Sequence, residues 1–337
     1  MPRLIGLTYS LIMVLALSAC EKTDNPDQES GEQPLEHDVY FSSNRTGNFE
    51  IYHQANGSVS PLTTNTNFDS WWPRQSPDGN TMLFYRTAIS DRPSTGGHNN
   101  NYENAALWSL NLSTGELSEL IPKGRYAWIA QGVVDWSPDG SQLVMAAQQA
   151  DTQLWHLFLT DSTGNNPIQV SQRTSLFLDP SFSPDGTQIT YVAYPTDYFG
   201  FDVSRLEVFT ASLNGSNEQR HTFDNVRDHD PYWSPDGRSI AYESAVNPEY
   251  LGVGQWALRL LDIETQTVRS ILDDGEINTL PRWSSDGTVL YFHRLVFGSE
   301  YGFRIAKVNT DGSDMQIISS GGNYDDTDVD WYRYPPE

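Results

Sequence analysis

The sequence predicts an all-β fold, a six-bladed β-propeller whose blades are four-stranded antiparallel sheets. Three observations support this prediction: a short motif recurs about every 50 residues, short apolar runs fill each interval, and turn residues separate those runs. Four short strands repeated about six times are typical of propellers. We therefore expect one large domain in which each repeat supplies one blade.

The recurring motif is Trp-Ser-Pro-Asp-Gly in its full form. Its complete, looser and degenerate copies begin at Gln75, Trp136, Phe182, Trp233, Trp283 and Trp331. Proline suits the first central position of a β-turn, and Asp-Gly suits the positions that follow. We predict that each copy is the turn between the first (A) and second (B) strand of a blade, and that its aromatic residue ends strand A.

The other strands follow the motif in a fixed order. Strand B is exemplified by residues 189–192, strand C by residues 206–209, and the short strand D by Val268–Leu272. The repeat region begins at Val39 with strands B, C and D and ends with an A-type strand at 328–332. We expect these end segments to complete one blade, so that the C-terminal strand closes the ring and hides its sheet edges.

The composition limits the possible functions. Hydrophobic residues make up 37% of the 337 residues and aromatic residues 12%, which is enough for a packed core. The formal net charge is −24, and nucleic-acid binding or a polybasic membrane contact would require clustered cations instead. We therefore expect no nucleic-acid partner and interpret the charge as a contribution to solubility.

The N-terminus predicts export. An apolar stretch at 4–17 follows Arg3 and is too short and wrongly flanked for a spanning helix. The segment Leu17-Ser18-Ala19-Cys20 resembles the lipobox of bacterial lipoproteins, which implies cleavage before Cys20 and its lipidation. An ordinary secretory signal with an incidental cysteine is the alternative. Because Cys20 is the sole cysteine, the chain has no disulfide framework.

The predicted organisation has three parts. Residues 1–19 form a lipoprotein signal peptide, residues 20–37 carry the lipidated cysteine and an acidic disordered tether, and residues 38–337 form the propeller. In the lipoprotein resemblance, Glu21 after the cysteine implies an outer-membrane anchor, with the domain facing the periplasm or the cell surface. We expect a monomer held at the membrane by its lipid.

The repeats resemble the PD40 repeats of TolB-like propellers, which also occur in prolyl-oligopeptidase-type enzymes. The resemblance covers residues 39–334 and is specific for the fold but not for function. TolB carries an α/β domain before its propeller, and the peptidases add a hydrolase domain with Gly-x-Ser-x-Gly, a pentapeptide that this sequence does not contain. We expect an isolated propeller that is neither TolB nor a serine peptidase.

Strand alternation assigns the loops to two faces. The A–B and C–D turns lie on one face and are short, whereas the B–C and D–A connections lie on the other and are long. Long loops on a rigid scaffold commonly bind ligands, and exposed aromatic side chains mark protein interfaces or stack on sugars. The predicted binding residues on this loop face are Tyr102, Trp128, Tyr198, Phe201, Tyr250, Phe297 and Tyr301. Packing of the loops on one another is the alternative.

The channel mouth has its own candidate site. Asp179, Asp230 and Asp328 each occupy the place seven residues before a motif glycine or its equivalent, and His229 and His293 fall on the same face. Convergent carboxylates raise one another's pKa or bind a hard cation such as Ca²⁺. Alternatively, each aspartate caps its own D–A turn. We expect no other cofactor.

Two functions follow from these patterns. The first is a membrane-anchored lipoprotein whose propeller serves as a scaffold for a protein or a glycan. The second is a propeller enzyme of the polysaccharide lyase or hydrolase type, with a metal or acid/base site at the channel mouth. Oligogalacturonate lyases resemble TolB-like propellers and use metal-assisted chemistry, but their metal-binding histidines have no match here, so the analogy rests on fold alone.

Overall fold

The computed structural model describes residues 38–55, 57–91, 102–200, 202–224, 226–247, 255–297, 301–319 and 322–331. These residues contain twenty-four strands in six four-stranded sheets. Four 3-10 helices occur in the same residues: Ile89–Asp91, Tyr102–Asn104, Arg125–Ala127 and Val203–Arg205. None of the helices in this described part is long and apolar enough to cross a bilayer. The predicted all-β propeller with six four-stranded blades is confirmed.

Each sheet is one blade, and the strands run A, B, C, D from the channel outward. Blade 1 is formed by β24 (Asp326–Trp331), β1 (Val39–Ser43), β2 (Glu50–Ala55) and β3 (Ser58–Pro61). Blade 2 is formed by β4 (Phe68–Gln75), β5 (Thr81–Ala88), β6 (Ala106–Asn111) and β7 (Leu117–Ile121). Blade 3 is formed by β8 (Trp128–Trp136), β9 (Gln142–Gln149), β10 (Trp155–Asp161) and β11 (Ile168–Gln169).

The second half of the ring repeats this plan. Blade 4 is formed by β12 (Phe177–Phe182), β13 (Gln188–Ala193), β14 (Glu207–Ser212) and β15 (Gln219–Arg220). Blade 5 is formed by β16 (Asp228–Trp233), β17 (Ser239–Asn247), β18 (Gln255–Asp262) and β19 (Val268–Leu272). Blade 6 is formed by β20 (Asn278–Trp283), β21 (Val289–Val296), β22 (Gly302–Asn309) and β23 (Gln316–Ile317).

The C-terminal strand closes the ring as the sequence predicts. Strand β24 pairs antiparallel with β1, with Val39 opposite Trp331 and Ser43 opposite Asp326. An ion pair of 2.7 Å between Arg45 Nη2 and Asp326 Oδ1 reinforces this pairing. The same strand is also fixed to blade 2, where the backbone N–H of Gln75 donates to Asp330 Oδ2 at 2.8 Å. Closure therefore ties β1 and β24 to each other and β24 to a neighbouring blade.

The motif forms the A–B turns, and one copy shows why. The Ser137 hydroxyl donates to Asp139 Oδ1 at 2.7 Å and accepts from the backbone N–H of Gln142 at 2.9 Å. Asp139 Oδ1 also accepts from the backbone N–H of Ser141 at 3.0 Å. Gly140 follows with φ of 69°, a left-handed conformation that favours glycine. The Ser–Asp hydrogen bond recurs at 2.6–2.7 Å in all five copies that contain both residues.

The core lies between neighbouring blades, and the motif tryptophans join them. The indole N–H of Trp136 in blade 3 donates to the carbonyl of Arg74 in blade 2 at 3.2 Å. The indole N–H of Trp283 in blade 6 donates to the carbonyl of Tyr232 in blade 5 at 3.0 Å. Trp136 and Trp283 also belong to apolar clusters of the core. Burial of each side chain contributes about 1.5–3 kcal/mol or more to stability.

Candidate functional site

The inner strands carry a regular distortion at the channel. In each A strand the pairing register shifts by a bulge, for example between Leu178 and Ser181 in β12 and between His229 and Tyr232 in β16. Five of the six bulge positions hold a non-glycine residue with positive φ, namely Trp72, Asp179, Asp230, Leu280 and Asp328, at 49° to 60°. Aspartate tolerates this conformation better than most residues, and bulges commonly redirect side chains beside functional sites.

The bulge aspartates connect neighbouring blades. Asp179 Oδ2 in blade 4 lies 3.5 Å from the backbone nitrogen of Asp230 in blade 5. Asp328 Oδ2 in blade 1 accepts from the backbone N–H of Trp72 in blade 2 at 3.3 Å. These contacts of Asp179 and Asp328 run from one inner strand to the next.

Three of the five predicted mouth residues converge. One ligand-type atom from each of Asp179, His229 and Asp230 lies within 4.8 Å of the other two. His229 Nδ1 is 2.6 Å from Asp179 Oδ2, while Arg227 Nε donates to His229 Nε2 at 2.9 Å. Since Nε2 accepts, Nδ1 carries the proton and donates to Asp179. Both ring nitrogens are thus engaged, so a metal ion would bind His229 only by displacing one of these partners.

The other two predicted residues serve structural contacts. His293 Nε2 accepts from the backbone N–H of Val329 at 3.1 Å, and its ring lies edge-on to Phe303 at 6.2 Å. Asp328 contacts Trp72 and the hydroxyl of Thr327. Neither belongs to the group formed by Asp179, His229 and Asp230. The predicted channel-mouth set therefore divides into a three-residue cluster and two residues that join blades 6, 1 and 2.

Two carboxyl groups at the mouth have strongly altered acidity. Burial, together with the negative charges of Asp179 and Glu243, raises the pKa of Asp230 well above its ordinary value. Burial raises the pKa of Glu243 to about 8, and the hydrogen bond from the backbone N–H of Leu280 offsets this only in part. Groups with raised pKa in a recess can donate or accept protons near neutral pH.

Tyr102 joins the loop face to the channel mouth. It lies in the B–C connection of blade 2, where its ring contacts Trp71 at 5.2 Å and Trp155 at 6.0 Å, both edge-on. Burial and the charges of Asp179, Asp230 and Asp328 raise its pKa well above the ordinary value. The predicted binding residue Tyr102 is therefore half-buried beside the carboxylates and is not part of an open aromatic surface.

The expected location of Trp128 is wrong. It begins strand β8, is only 2% exposed, and packs against Phe158 with 4.7 Å between ring centroids. It therefore belongs to the core and presents no surface to a partner. The sequence analysis predicted it in the D–A connection before strand A of blade 3, but the strand begins at the tryptophan itself.

A cleft on the loop face lies between blades 3 and 4. Its volume is about 360 Å³, and its walls include Trp155, Leu176, Tyr194, Tyr198 and Phe199. Tyr198 is held in place because its hydroxyl accepts from the backbone N–H of Asp202 at 2.9 Å and its ring packs on Tyr194 at 5.3 Å. Phe199 is 93% exposed at the rim. Of the predicted binding residues that the structure describes, Tyr198 is the one that lines this cleft.

A second pair of exposed aromatic residues lies at blade 6. Phe297 and Tyr301 are 47% and 59% exposed, and their rings lie 6.0 Å apart. Both were predicted on the loop face and both lie in the B–C connection between β21 and β22. The predicted binding residues Phe201 and Tyr250, the predicted lipidated Cys20, and the predicted signal peptide and tether lie outside the described residues.

Several residues of the site were missed by sequence reasoning. Glu243 is the clearest example, because it occupies in blade 5 the place that His293 occupies one repeat later. Comparing the two repeats position by position would have found it. Phe199 and Trp155 lacked such a signal, because single aromatic residues in or beside a loop do not reveal which ones form a cleft.

Comparison with protein families identifies the repeats. The model described as the TolB beta propeller domain (PD40) matches residues 147–330, more than half of the chain. The chain belongs to this family of TolB-type propellers. A curated relative, an uncharacterized protein of Agrobacterium fabrum, is 23% identical over 220 residues, which cover 65% of this chain and 64% of the relative. The match thus spans less than two thirds of that relative's length.

Solved structures agree with this fold. TolB from Acinetobacter baumannii has a TM-score of 0.64 at 15% identity, covering 88% of this chain and 66% of that chain. A putative TolB from Agrobacterium tumefaciens has a TM-score of 0.59 at 18% identity, covering 90% and 100%. An oligogalacturonate lyase in complex with manganese has a TM-score of 0.54 at 14% identity, covering 83% and 73%. At these identities the likeness concerns the fold alone.

Proposed function

We propose that this protein is a lipid-anchored scaffold that binds a protein partner through its loop face. The observation that carries the proposal is the aromatic cleft between blades 3 and 4, with Phe199 exposed at its rim. The TolB-type fold supports a scaffolding role, and the lipobox-like segment ending at Cys20 supports attachment to the outer membrane, facing the periplasm or the cell surface.

The cleft has the properties of a protein-binding hot spot. Its aromatic walls are rigid because Tyr198 is fixed by a hydrogen bond and a ring contact. A buried anchor side chain surrounded by aromatic groups supplies most of the energy in many interfaces. Trp155 lines the cleft and contacts Tyr102, which borders the acidic channel mouth. A partner with an apolar anchor and a nearby basic group would match both regions.

The test is a pull-down from native membranes with the lipidated full chain. F199A should reduce recovery of the partner at least about tenfold, as expected for loss of a hot-spot contact. The matched control is I168A, which removes an apolar side chain that is 66% exposed on the outer strand of blade 3. A C20A form should leave the membrane fraction. Unchanged recovery with F199A would contradict the proposal, and recovery of glycan alone would show that the ligand is a saccharide.

A second function is favoured by a different observation, the raised pKa of Glu243 and Asp230 beside the oriented imidazole of His229. These groups could act as acid and base on a polysaccharide that enters the channel mouth. Turnover of a polysaccharide panel that disappears in E243Q, and not in F199A, would establish this function.

A further inference from the structure

Three carboxylates meet where blade 4 joins blade 5, in a group separate from Asp179, His229 and Asp230. Glu207 is the first residue of β14, Asp224 lies in the D–A connection, and Asp228 is the first residue of β16. One carboxylate oxygen from each lies within 4.8 Å of the other two. Glu207 and Asp228 are 0% exposed, whereas Asp224 faces solvent. The group is therefore a recess with two buried acids and one acid at its opening.

The carboxylates of this recess outnumber the cations that pair with them. Arg220 Nη2 pairs with Glu207 Oε1 at 2.9 Å. Asp228 Oδ1 accepts from the hydroxyl of Ser244 at 2.7 Å, and the Thr222 side chain also acts on this carboxyl group to oppose the rise of its pKa. Asp228 Oδ2 is buried and has no partner within hydrogen-bond geometry among the residues that the structure describes. Burial raises the pKa of both Asp228 and Glu207. A buried carboxylate oxygen without a partner is unfavourable unless a cation or a proton compensates it.

The next repeat shows what compensates the equivalent group. Asp274, Asn278 and Arg294 in the blade 5–6 junction occupy the places of Asp224, Asp228 and Ser244. Arg294 Nη1 lies 2.7 Å from Asp274 Oδ2 and donates to Asn278 Oδ1 at 2.8 Å. A guanidinium thus bridges the two side chains.

The junction between blades 4 and 5 has more acidic and fewer basic side chains at these places than the junction between blades 5 and 6. The acid count is higher, because Asp228 replaces the asparagine, and the arginine at the place of Arg294 is lost, because Ser244 replaces it, although Arg220 still pairs with Glu207. Blade 1 also places an arginine here, since Asp326, the counterpart of Asp228, pairs with Arg45. Of these three junctions, the one between blades 4 and 5 has most carboxylates, and among the described residues no arginine side chain pairs with the first residue of its strand A.

We propose that Glu207, Asp224 and Asp228 bind a hard divalent cation, with Ca²⁺ as the ion of choice. The three donors are all oxygens, which hard cations prefer, and the group lacks the histidine and cysteine ligands that dominate zinc and copper sites. Oxygens around one Ca²⁺ at about 2.3–2.6 Å lie within about 5 Å of one another, in agreement with this cluster. The ion replaces the guanidinium of the neighbouring junction and links blade 4 to blade 5.

The test uses the full chain freed of metal by a chelator and titrated with Ca²⁺, Mg²⁺ and Mn²⁺. Calorimetry should show that Ca²⁺ binds to the wild type and does not bind to D228N. Saturating Ca²⁺ should raise the Tm of the wild type by about 3–6 °C. D274N is the matched control, because its carboxylate is already paired with Arg294, and D230N tests the channel mouth; both should keep the response. No binding of any of the three ions, or an equal response in D228N, would overturn the proposal.

A second variant keeps the test independent of folding defects. D228N/S244R installs the residues of the blade 5–6 junction. It should fold without Ca²⁺, melt at or above the temperature of the metal-free wild type, and show no Ca²⁺ response. A Tm of this variant that still rises with Ca²⁺ as in the wild type would overturn the assignment. The assignment would also be overturned if Ca²⁺ left the Tm of the wild type unchanged while its stability fell with rising pH. In that case a proton, and not a metal ion, would neutralise the Asp228 carboxylate.

Discussion

The two faces of the ring are built from the same strands but follow different rules. On the turn face, five copies of one serine and one aspartate make the same hydrogen bond at 2.6–2.7 Å. On the loop face, the connections differ in length, and exposed aromatic residues occur at blades 4 and 6. The comparison indicates that the turn face specifies the fold, whereas the loop face is free to carry what distinguishes this protein.

The acidity of the carboxyl groups separates the two faces as well. Hydrogen bonds from Ser76 and Ser137 lower the pKa of Asp78 and Asp139 in the turns. Burial instead raises the pKa of Asp230 and Glu243 at the channel mouth. The ionised turn aspartates therefore stabilise the fold, while ionisation at the mouth opposes it. Functional sites commonly hold such unfavourable groups.

The largest effect should come from opening the ring that both faces share. Deleting residues 326–337 removes β24, its pairing with β1, and the contacts of Asp330 with blade 2 and of Val329 with blade 6. We expect the free energy of unfolding to fall by about 5 kcal/mol or more, which is comparable with the stability of a whole domain. The truncated chain should then be unfolded at 37 °C and show no cooperative thermal transition above that temperature. Calorimetry and circular dichroism would measure this.

A peptide provides the control for that deletion. A synthetic copy of residues 322–337 added in trans should restore the melt, because it can rejoin the open edge of β1 by strand addition. A truncated chain that melts at the temperature of the full chain would contradict closure by β24.

An intermediate effect should come from the channel mouth. The unfolded Glu243 ionises near its ordinary pKa of 4.5, whereas the folded group has a pKa of about 8. The native state then binds more protons than the unfolded state between these values, so its stability falls as pH rises from about 4.5 to about 8. E243Q keeps an acceptor for the N–H of Leu280 and should gain about 1–3 kcal/mol at pH 9 and little at pH 4.

Urea unfolding of E243Q and wild type across this pH range measures the effect. Glu119→Gln is a suitable control, because Glu119 is an exposed carboxylate on the outer strand β7. The free energy of unfolding of this control should differ little from that of the wild type at every pH. If E243Q raises the free energy of unfolding by the same amount at every pH, the effect comes from repacking of the mouth. The two faces would then not differ in the pH dependence of their carboxyl groups.

The sequence predicted the fold better than the site, for physical reasons. The Trp-Ser-Pro-Asp-Gly turns and the strand order depend on local backbone chemistry, so six blades and the closing strand could be read directly. The bulge aspartates were also found, because their place relative to the motif is fixed. His229 was placed on the same face, but its hydrogen bond to Asp179 in another blade could not be read from the sequence, because such contacts depend on the closed ring.

The smallest effect, and the sharpest contrast with Glu243, should come from Asp139. Its pKa is lowered by hydrogen bonds from Ser137 and Ser141, so its contribution is present above the ordinary pKa of 3.8 and disappears as pH falls through the lower folded value. Because this turn is exposed and screened by solvent, D139N should cost less than about 1 kcal/mol at pH 7 and almost nothing near pH 2. Urea unfolding at both pH values measures the difference, and D236N in the equivalent turn of blade 5 should behave alike. A D139N loss that grows on acidification would mean that the turn aspartates do not act through their ionised form, and that the two faces do not differ in the sign of their pH dependence.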